Sequence, residues 1–183
     1  MEENEKKWTT LDSEYLMCRP WLTVRKDKVR MAKGTVIDDF YVLEYPEWVN
    51  TIAITTDGRF VMVKQYRHGI GATNYELCAG CCEDGETFEQ SARRELLEET
   101  GYAGGEWSLL LEAAPNATSM SNHIHCFLAT GVEKVAEPDL DPTEELEVAL
   151  LDEQEVFGLL SSGQIVQATM VAPLWKYFYI RSR

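Results

Sequence analysis

The chain has 183 residues, 45 % of them hydrophobic, enough to build one domain with a sizeable core. Its net charge of −14 argues against a nucleic-acid surface, which needs clustered Lys and Arg. No apolar run reaches bilayer length and the opening residues lack the basic and apolar regions of a secretory signal, so a cytoplasmic protein without membrane or nucleic-acid partners is expected.

In chain order, residues 1–17 are polar and mixed and read as irregular. Trp21 to Met31 and Thr35 to Tyr45 alternate in the strand manner around the turn Ala32-Lys33-Gly34, which predicts a hairpin. Val49 to Thr55 and Phe60 to Tyr66, joined by Thr56-Asp57-Gly58, predict a second hairpin. Tyr75 to Cys78 is a short strand leading into a helix. In that helix Phe88, Ala92 and Leu96 recur at i, i+4 and i+8 and should face a core, with Leu97 and Tyr102 extending the contact. Gly101 suits the position just past the helix end, where φ is often positive. Trp107 to Ala113 and His123 to Thr130 are further strands. An acidic loop marked by Pro138 and Pro142 precedes a strand at Glu147 to Leu151. Glu153 to Leu160 predicts a helix ended by Ser161-Ser162-Gly163, and a last helix runs from about Ile165 towards Ile180, with Pro173 expected to kink or restart it.

The helix between Gly80 and Tyr102 carries the chemistry. Glu95, Glu98 and Glu99 stand at i, i+3 and i+4, so all three carboxylates share one helix face. Like charges so placed destabilise a helix unless something offsets them, and hard divalent cations take oxygen ligands. Arg94 can hold one neighbouring carboxylate in a two-donor pair, and Glu86 is the expected partner. Taken alone, such a cluster is more often a solvated acidic face than a metal site.

The fixed frame around it changes that reading. Gly80, Glu86, Arg94, Glu95, Glu98, Glu99 and Gly101 fill every specified position of G-x5-E-x7-R-E-U-x-E-E-x-G-U, with Leu96 and Tyr102 at the bulky apolar sites. This resembles the signature box of the Nudix hydrolases. The resemblance implies an α+β fold, an α/β/α sandwich with a mixed β-sheet. It also implies Mg²⁺, with Mn²⁺ as a substitute, on Glu95, Glu98, Glu99 and the backbone carbonyl of Ala79, with Glu99 the most shared ligand. Such a cation offsets phosphate charge, orients the scissile bond and acidifies water, which is what splitting a diphosphate requires.

The flanks narrow the branch. Val63-Lys64-Gln65-Tyr66-Arg67 and Tyr75-Glu76-Leu77-Cys78-Ala79-Gly80 resemble the VxQYR and ExPAG segments of ADP-ribose pyrophosphatases and related nucleoside diphosphate sugar hydrolases. By that resemblance Arg67 binds phosphate, Glu76 binds substrate or braces Arg67, and Trp21 stacks on the nucleotide base, with Phe40 and Tyr41 nearby on the same strands. Residues 1–45 become an N-terminal β-hairpin extension that forms a homodimer, and 46–183 the catalytic domain. By the same resemblance a carboxylate of the acidic loop, Glu144 ahead of Glu145 and Asp141, serves as the base or as an extra metal ligand. Two departures bear on the substrate. Cys78 replaces the branch proline, and Ala117 and Thr118 occupy the place of a marker proline, with Pro115 slightly early.

The expected substrate is therefore ADP-ribose or a similar nucleoside diphosphate sugar, split into a nucleoside monophosphate and a sugar phosphate. The alternatives are GDP-mannose or a dinucleotide as substrate, or a non-catalytic nucleotide sensor. Five cysteines without a secretion signal do not suggest a disulfide framework, and Cys78 to Cys81 lacks the second ligand pair a zinc site needs. His123 and His125 share a strand face and read as structural residues beside the cleft.

Overall fold

The computed structural model describes residues 6–183. The chain divides into two compact units: one runs through Pro46 and includes Ala114–Asn122, and the other comprises Glu47–Ala113 and His123–Arg183. No helix among the described residues is long and apolar enough to cross a membrane.

The first unit holds an antiparallel sheet of β1 (Thr9–Arg19), β2 (Leu22–Arg30) and β3 (Val36–Glu44), in that order. The predicted β2–β3 hairpin is present, but residues 9–19 correct the expectation of an irregular start, while the first five residues lie outside the described part. β1 is exposed along its whole length, so it carries no apolar alternation to betray it. Its order comes from pairing with β2, where Ser13 donates to Asp27 at 2.7 Å and Lys26 meets Glu14 at 3.0 Å. Ala114–Asn122 returns to the end of β3, where the Leu43 amide donates to the Ser119 carbonyl at 2.7 Å.

The second unit is a mixed six-stranded sheet in the order β7-β8-β4-β6-β5-β9. The strands are β4 (Trp48–Thr55), β5 (Phe60–Arg67), β6 (Ala72–Cys81), β7 (Tyr102–Ala113), β8 (Ile124–Lys134) and β9 (Leu146–Leu151). β4 and β8 run parallel, and the other pairs are antiparallel. The period-2 alternation of the central strands builds two cores. Ile52, Phe60, Met62, Leu77 and Cys126 point to one face, beneath α2 (Glu153–Ser161) and α3 (Ala168–Arg181). Ala53, Val61, Cys78 and Ala129 point to the other, where Leu96 of α1 (Phe88–Thr100) is buried among them. This is the expected α/β/α sandwich, and burying Leu96 alone contributes about 1.5–3 kcal/mol.

Three local expectations need correction. α1 buries Ser91, Ala92, Leu96, Glu99 and Thr100, so Leu97, one step round the helix from Leu96, faces outward. Phe88 lies at the rim, 40 % exposed, rather than in the core stripe. Pro173 does not restart the last helix: α3 is continuous across it, starting at Ala168. A proline removes the donor for the carbonyl four residues back, here Thr169, and the buried Asn50 of β4 supplies one, its Nδ2 donating to that carbonyl at 2.8 Å.

Candidate active site

The site forms where the end of β6 meets α1. Gly85 (φ 90°) and a hydrogen bond donated by the Glu86 amide to the Glu83 carbonyl turn the chain after β6. Thr87 then caps α1 in a reciprocal box, its Oγ1 accepting from the Gln90 amide at 3.2 Å while the Gln90 side chain accepts from the Thr87 amide at 2.8 Å. At the far end Gly101 sits at φ 74°, and a Cβ there would overlap the Ala136 carbonyl oxygen. Glycine thus lets the segment after β8 cross the helix end, where the Asp139 amide donates to the Glu98 carbonyl at 2.8 Å.

The three carboxylates of α1 run from buried to exposed. Glu99 is 4 % exposed, Glu95 is partly buried, and Glu98 is nearly half exposed at its side chain. Glu99 accepts the Ala79 amide at 3.0 Å and a hydrogen bond from the Cys78 thiol. Burial pushes its carboxyl up to about 7; the Cys78 and Ala79 hydrogen bonds oppose the rise, and the charges of Glu95 and Glu144 add to it. Burial likewise raises Glu95, with Arg94 opposing. Gly80 makes room for this: a Cβ there would overlap the Glu95 carboxyl group.

Arg94 is the local counter-charge. It grips Glu86 with two donors at 3.1 Å, the predicted pair, and its Nη1 reaches Glu95 at 2.9 Å and Glu98 at 3.1 Å. It also donates to the Cys81 carbonyl at 3.1 Å, which ties helix to strand. On β5, Arg67 is gripped through Nε and Nη2 by the buried Glu76 at 3.0 and 2.6 Å. Glu76, 1 % exposed, thus braces Arg67, whose pKa is raised first by that hydrogen bond and also by the charges of Glu76 and Glu99. Glu144 acts electrostatically on both Glu95 and Glu99, and one of its oxygens accepts the Asp141 amide at 3.0 Å. Glu95, Glu98, Glu99, Ala79, Arg67, Glu76 and Glu144 therefore belong to one region of one unit. Trp21 belongs to the other unit, at the β1–β2 turn, 82 % exposed.

The donor chemistry fits a hard divalent cation. Three carboxylates share one helix face, Gly80 leaves space for Glu95, and burial first, with carboxylate repulsion adding to it, holds Glu95 and Glu99 above their ordinary range. Among the described residues no three His, Cys, Asp or Glu side chains converge as a ready-made cage, and Arg94 spans Glu95 and Glu98. The five cysteines are all free, and burial raises Cys78, Cys81, Cys82 and Cys126, the last to about 12, the opposite of an activated thiol.

One group escaped sequence reasoning. Glu47, at the head of the second unit, has an oxygen 2.9 Å from Nε2 of the buried His125, and Phe88 stacks on that ring with centroids 3.6 Å apart. Nothing in the sequence links positions 78 residues apart; the shared strand face of His123 and His125 was the sole signal.

Comparison with known proteins agrees with this geometry. The NUDIX domain family matches residues 46–173, and the nucleoside diphosphate sugar hydrolase N-terminal domain matches residues 8–43. An ADP-ribose pyrophosphatase of Mycobacterium tuberculosis is 31 % identical over 172 residues, covering 92 % of this chain and 82 % of that protein. A methanol dehydrogenase activator of Bacillus methanolicus is 31 % identical over 163 residues, with 88 % of each chain covered. A crystal structure of an ADP compounds hydrolase superposes with a TM-score of 0.84 over 97 % of this chain and 95 % of its own, and at 19 % identity it speaks for the fold. The chain belongs to the Nudix hydrolase family, as a pyrophosphohydrolase of the branch that holds the ADP-ribose pyrophosphatases and nucleoside diphosphate sugar hydrolases.

Proposed function

We propose that the chain hydrolyses the pyrophosphate bond of ADP-ribose or a similar nucleoside diphosphate sugar, releasing a nucleoside monophosphate and a sugar phosphate. The observation that carries the reading is the pairing of opposites at the site: the braced cationic fork of Arg67 lies within electrostatic reach of the recessed carboxylate Glu99. A diphosphate offers both partners what they lack, oxygens for a guanidinium and for a cation held by carboxylates. The name of the mycobacterial relative, an ADP-ribose pyrophosphatase, supports the choice of substrate class.

Glu95, Glu98 and Glu99, with the carbonyl of Ala79, are the groups that would hold Mg²⁺. Once bound, the ion supplies charge neutralisation on the phosphates and a more acidic water. The chain's own groups do the rest. Arg67 orients the diphosphate through its planar fork, and Glu76 keeps that fork from turning. Glu144 takes the proton from the attacking water at a carboxylate oxygen, with Glu145 and Asp141 the neighbouring candidates. Trp21, exposed at its turn, stacks on the nucleotide base. The N-terminal sheet, which presents Tyr15, Met17, Trp21 and Tyr41 to solvent, joins two copies in a homodimer. A monomer by light scattering would remove the dimer from this reading.

The test is a Mg²⁺-dependent hydrolysis screen over ADP-ribose, GDP-mannose, NADH and dinucleoside polyphosphates, with products identified by mass. ADP-ribose yielding AMP and ribose 5-phosphate is the expected result. A clear preference for GDP-mannose or a dinucleotide would move the substrate within the same reaction. Cys78 in place of the branch proline and the Ala117–Thr118 departure leave the second half of the substrate open to that outcome. No cleavage of any compound overturns the proposal.

A further inference from the structure

We propose that His125, held between Glu47 and Phe88, is a positioning residue for the metal-binding carboxylates of α1. The inference rests on the reading that Glu95, Glu98 and Glu99 hold the metal. His125 lies on β8 and is 4 % exposed. Its Nε2 is 2.9 Å from a Glu47 carboxylate oxygen, so this nitrogen carries the proton. Its Nδ1 is 3.6 Å from a Glu112 oxygen, beyond hydrogen-bond length, and has no hydrogen-bond partner among the described residues. The ring face is covered by Phe88, the first residue of α1, in a parallel stack with planes 12° apart.

The stack matters because of what lies between its ends. Glu47 also accepts the Cys82 amide on its backbone carbonyl at 2.9 Å and the His123 amide on its side chain at 3.1 Å. The loop from Cys82 to Thr87 is therefore tied at its start to Glu47 and at its end, through Phe88, to the His125 ring that Glu47 holds. Within that loop Glu86 accepts from Ser91 Oγ at 2.7 Å and grips Arg94, which in turn contacts Glu95 and Glu98. A displaced Phe88 shifts Glu86, then Arg94, then the carboxylates Arg94 holds. Mg²⁺ demands near-ideal octahedral geometry, so such shifts weaken its binding. The Thr87 capping box fixes the backbone at Phe88, and the stack on His125 fixes where its ring lies.

The experiment titrates the full chain with MgCl₂, following heat by calorimetry and the rise of Tm, and measures kcat and KM at saturating Mg²⁺. His125→Asn keeps a donor for Glu47 but loses the ring face; Phe88→Leu removes the stack from the exposed side and spares the core. Both should raise the Mg²⁺ midpoint by about tenfold, the lower end of the losses seen when groups that orient metal ligands are removed. Saturating Mg²⁺ should restore kcat to within about twofold of the parent, with KM unchanged. Phe88→Tyr, which keeps the stack, should leave the midpoint at the parental value. If His125→Asn does not fold, Phe88→Leu decides alone. An unchanged midpoint in a variant that merely melts earlier makes His125 a core residue and overturns the clamp, while the metal-site reading stands. A parental chain without any response to Mg²⁺ overturns that reading, and the clamp with it.

Discussion

Replacing Glu99 by glutamine should stabilise the metal-free protein at alkaline pH, although it removes a proposed metal ligand. The carboxyl is buried and its pKa is pushed up to about 7, against 4.5 for an ordinary glutamate. Between those two values the folded chain keeps a proton that the unfolded chain has released, so stability falls as pH rises through the window. At about 1.4 kcal/mol per pH unit, ionising this group in place costs the fold about 3 kcal/mol by pH 8. Below 4.5 both states are protonated and the cost vanishes. Glutamine imitates the protonated acid, and its carbonyl oxygen can still accept the Ala79 amide.

In EDTA at pH 8, Glu99→Gln should therefore exceed the parent by about 3 kcal/mol in urea denaturation followed by circular dichroism, or roughly 6–12 °C in Tm for a chain of this size. At pH 5 the gap should shrink to about 1 kcal/mol. Adding Mg²⁺ should reverse the order, since a ligand that binds only the folded parent stabilises it by RT ln(1 + [L]/Kd). Turnover should fall by orders of magnitude. A variant less stable than the parent at pH 8 in EDTA, or a gap that ignores pH, would refute the reasoning, because either outcome means Glu99 is not a desolvated carboxylate.

Gly80→Ala puts a Cβ into the Glu95 carboxyl group; a flexible side chain can swing away cheaply, so Tm should hold while the Mg²⁺ midpoint rises, as a metal titration would show. Arg67→Lys keeps the charge but loses the fork, and Glu76→Gln frees the fork from its brace; each should raise KM for a diphosphate substrate by about tenfold, roughly 1.4 kcal/mol, in steady-state kinetics. Glu144→Gln should lower kcat by about 10²–10³ with little change in KM, and an unchanged rate would transfer the base to Glu145 or Asp141. Asn50→Leu strands the Thr169 carbonyl beneath Pro173 and should destabilise the fold by about 1–3 kcal/mol in urea denaturation, with kcat intact.

The parts of the molecule that could be read from sequence are those whose cause is local. The helix Phe88–Thr100, its glycine terminus and the Arg94–Glu86 pair depend on spacing within one helix and its adjoining loop, and spacing is written in the chain. The alternation that sends Ile52 to one core and Ala53 to the other is legible for the same reason. What escaped depends on distant partners. β1 is a strand because β2 lies beside it, and its own side chains are exposed. α3 runs through Pro173 because Asn50, more than a hundred positions away in the chain, satisfies the stranded carbonyl. Phe88 left its expected core stripe because a ring on β8 offered a face at the helix start.

The same division explains how the site carries its charge. Helical spacing brings Glu95, Glu98 and Glu99 together, but helical spacing alone would leave them in water, where their repulsion is screened. The sheet changes that: the Ala79 amide and Cys78 thiol hold Glu99 against β6, and Gly80 admits Glu95 close to the strand. Against these stand Arg94, already committed to Glu86, and Arg67, committed to Glu76. Each arginine is locked by a carboxylate outside the proposed metal-binding set, while burial first, and the charges of Glu95 and Glu144 after it, push the Glu99 carboxyl up to about 7. A site that neutralised itself would be more stable and would have less to offer a cation. Glu86 and Glu76 keep the two guanidiniums in place, and the charge that Arg94 compensates only in part on Glu95, together with the buried carboxyl of Glu99, is what a divalent ion and a diphosphate would satisfy together.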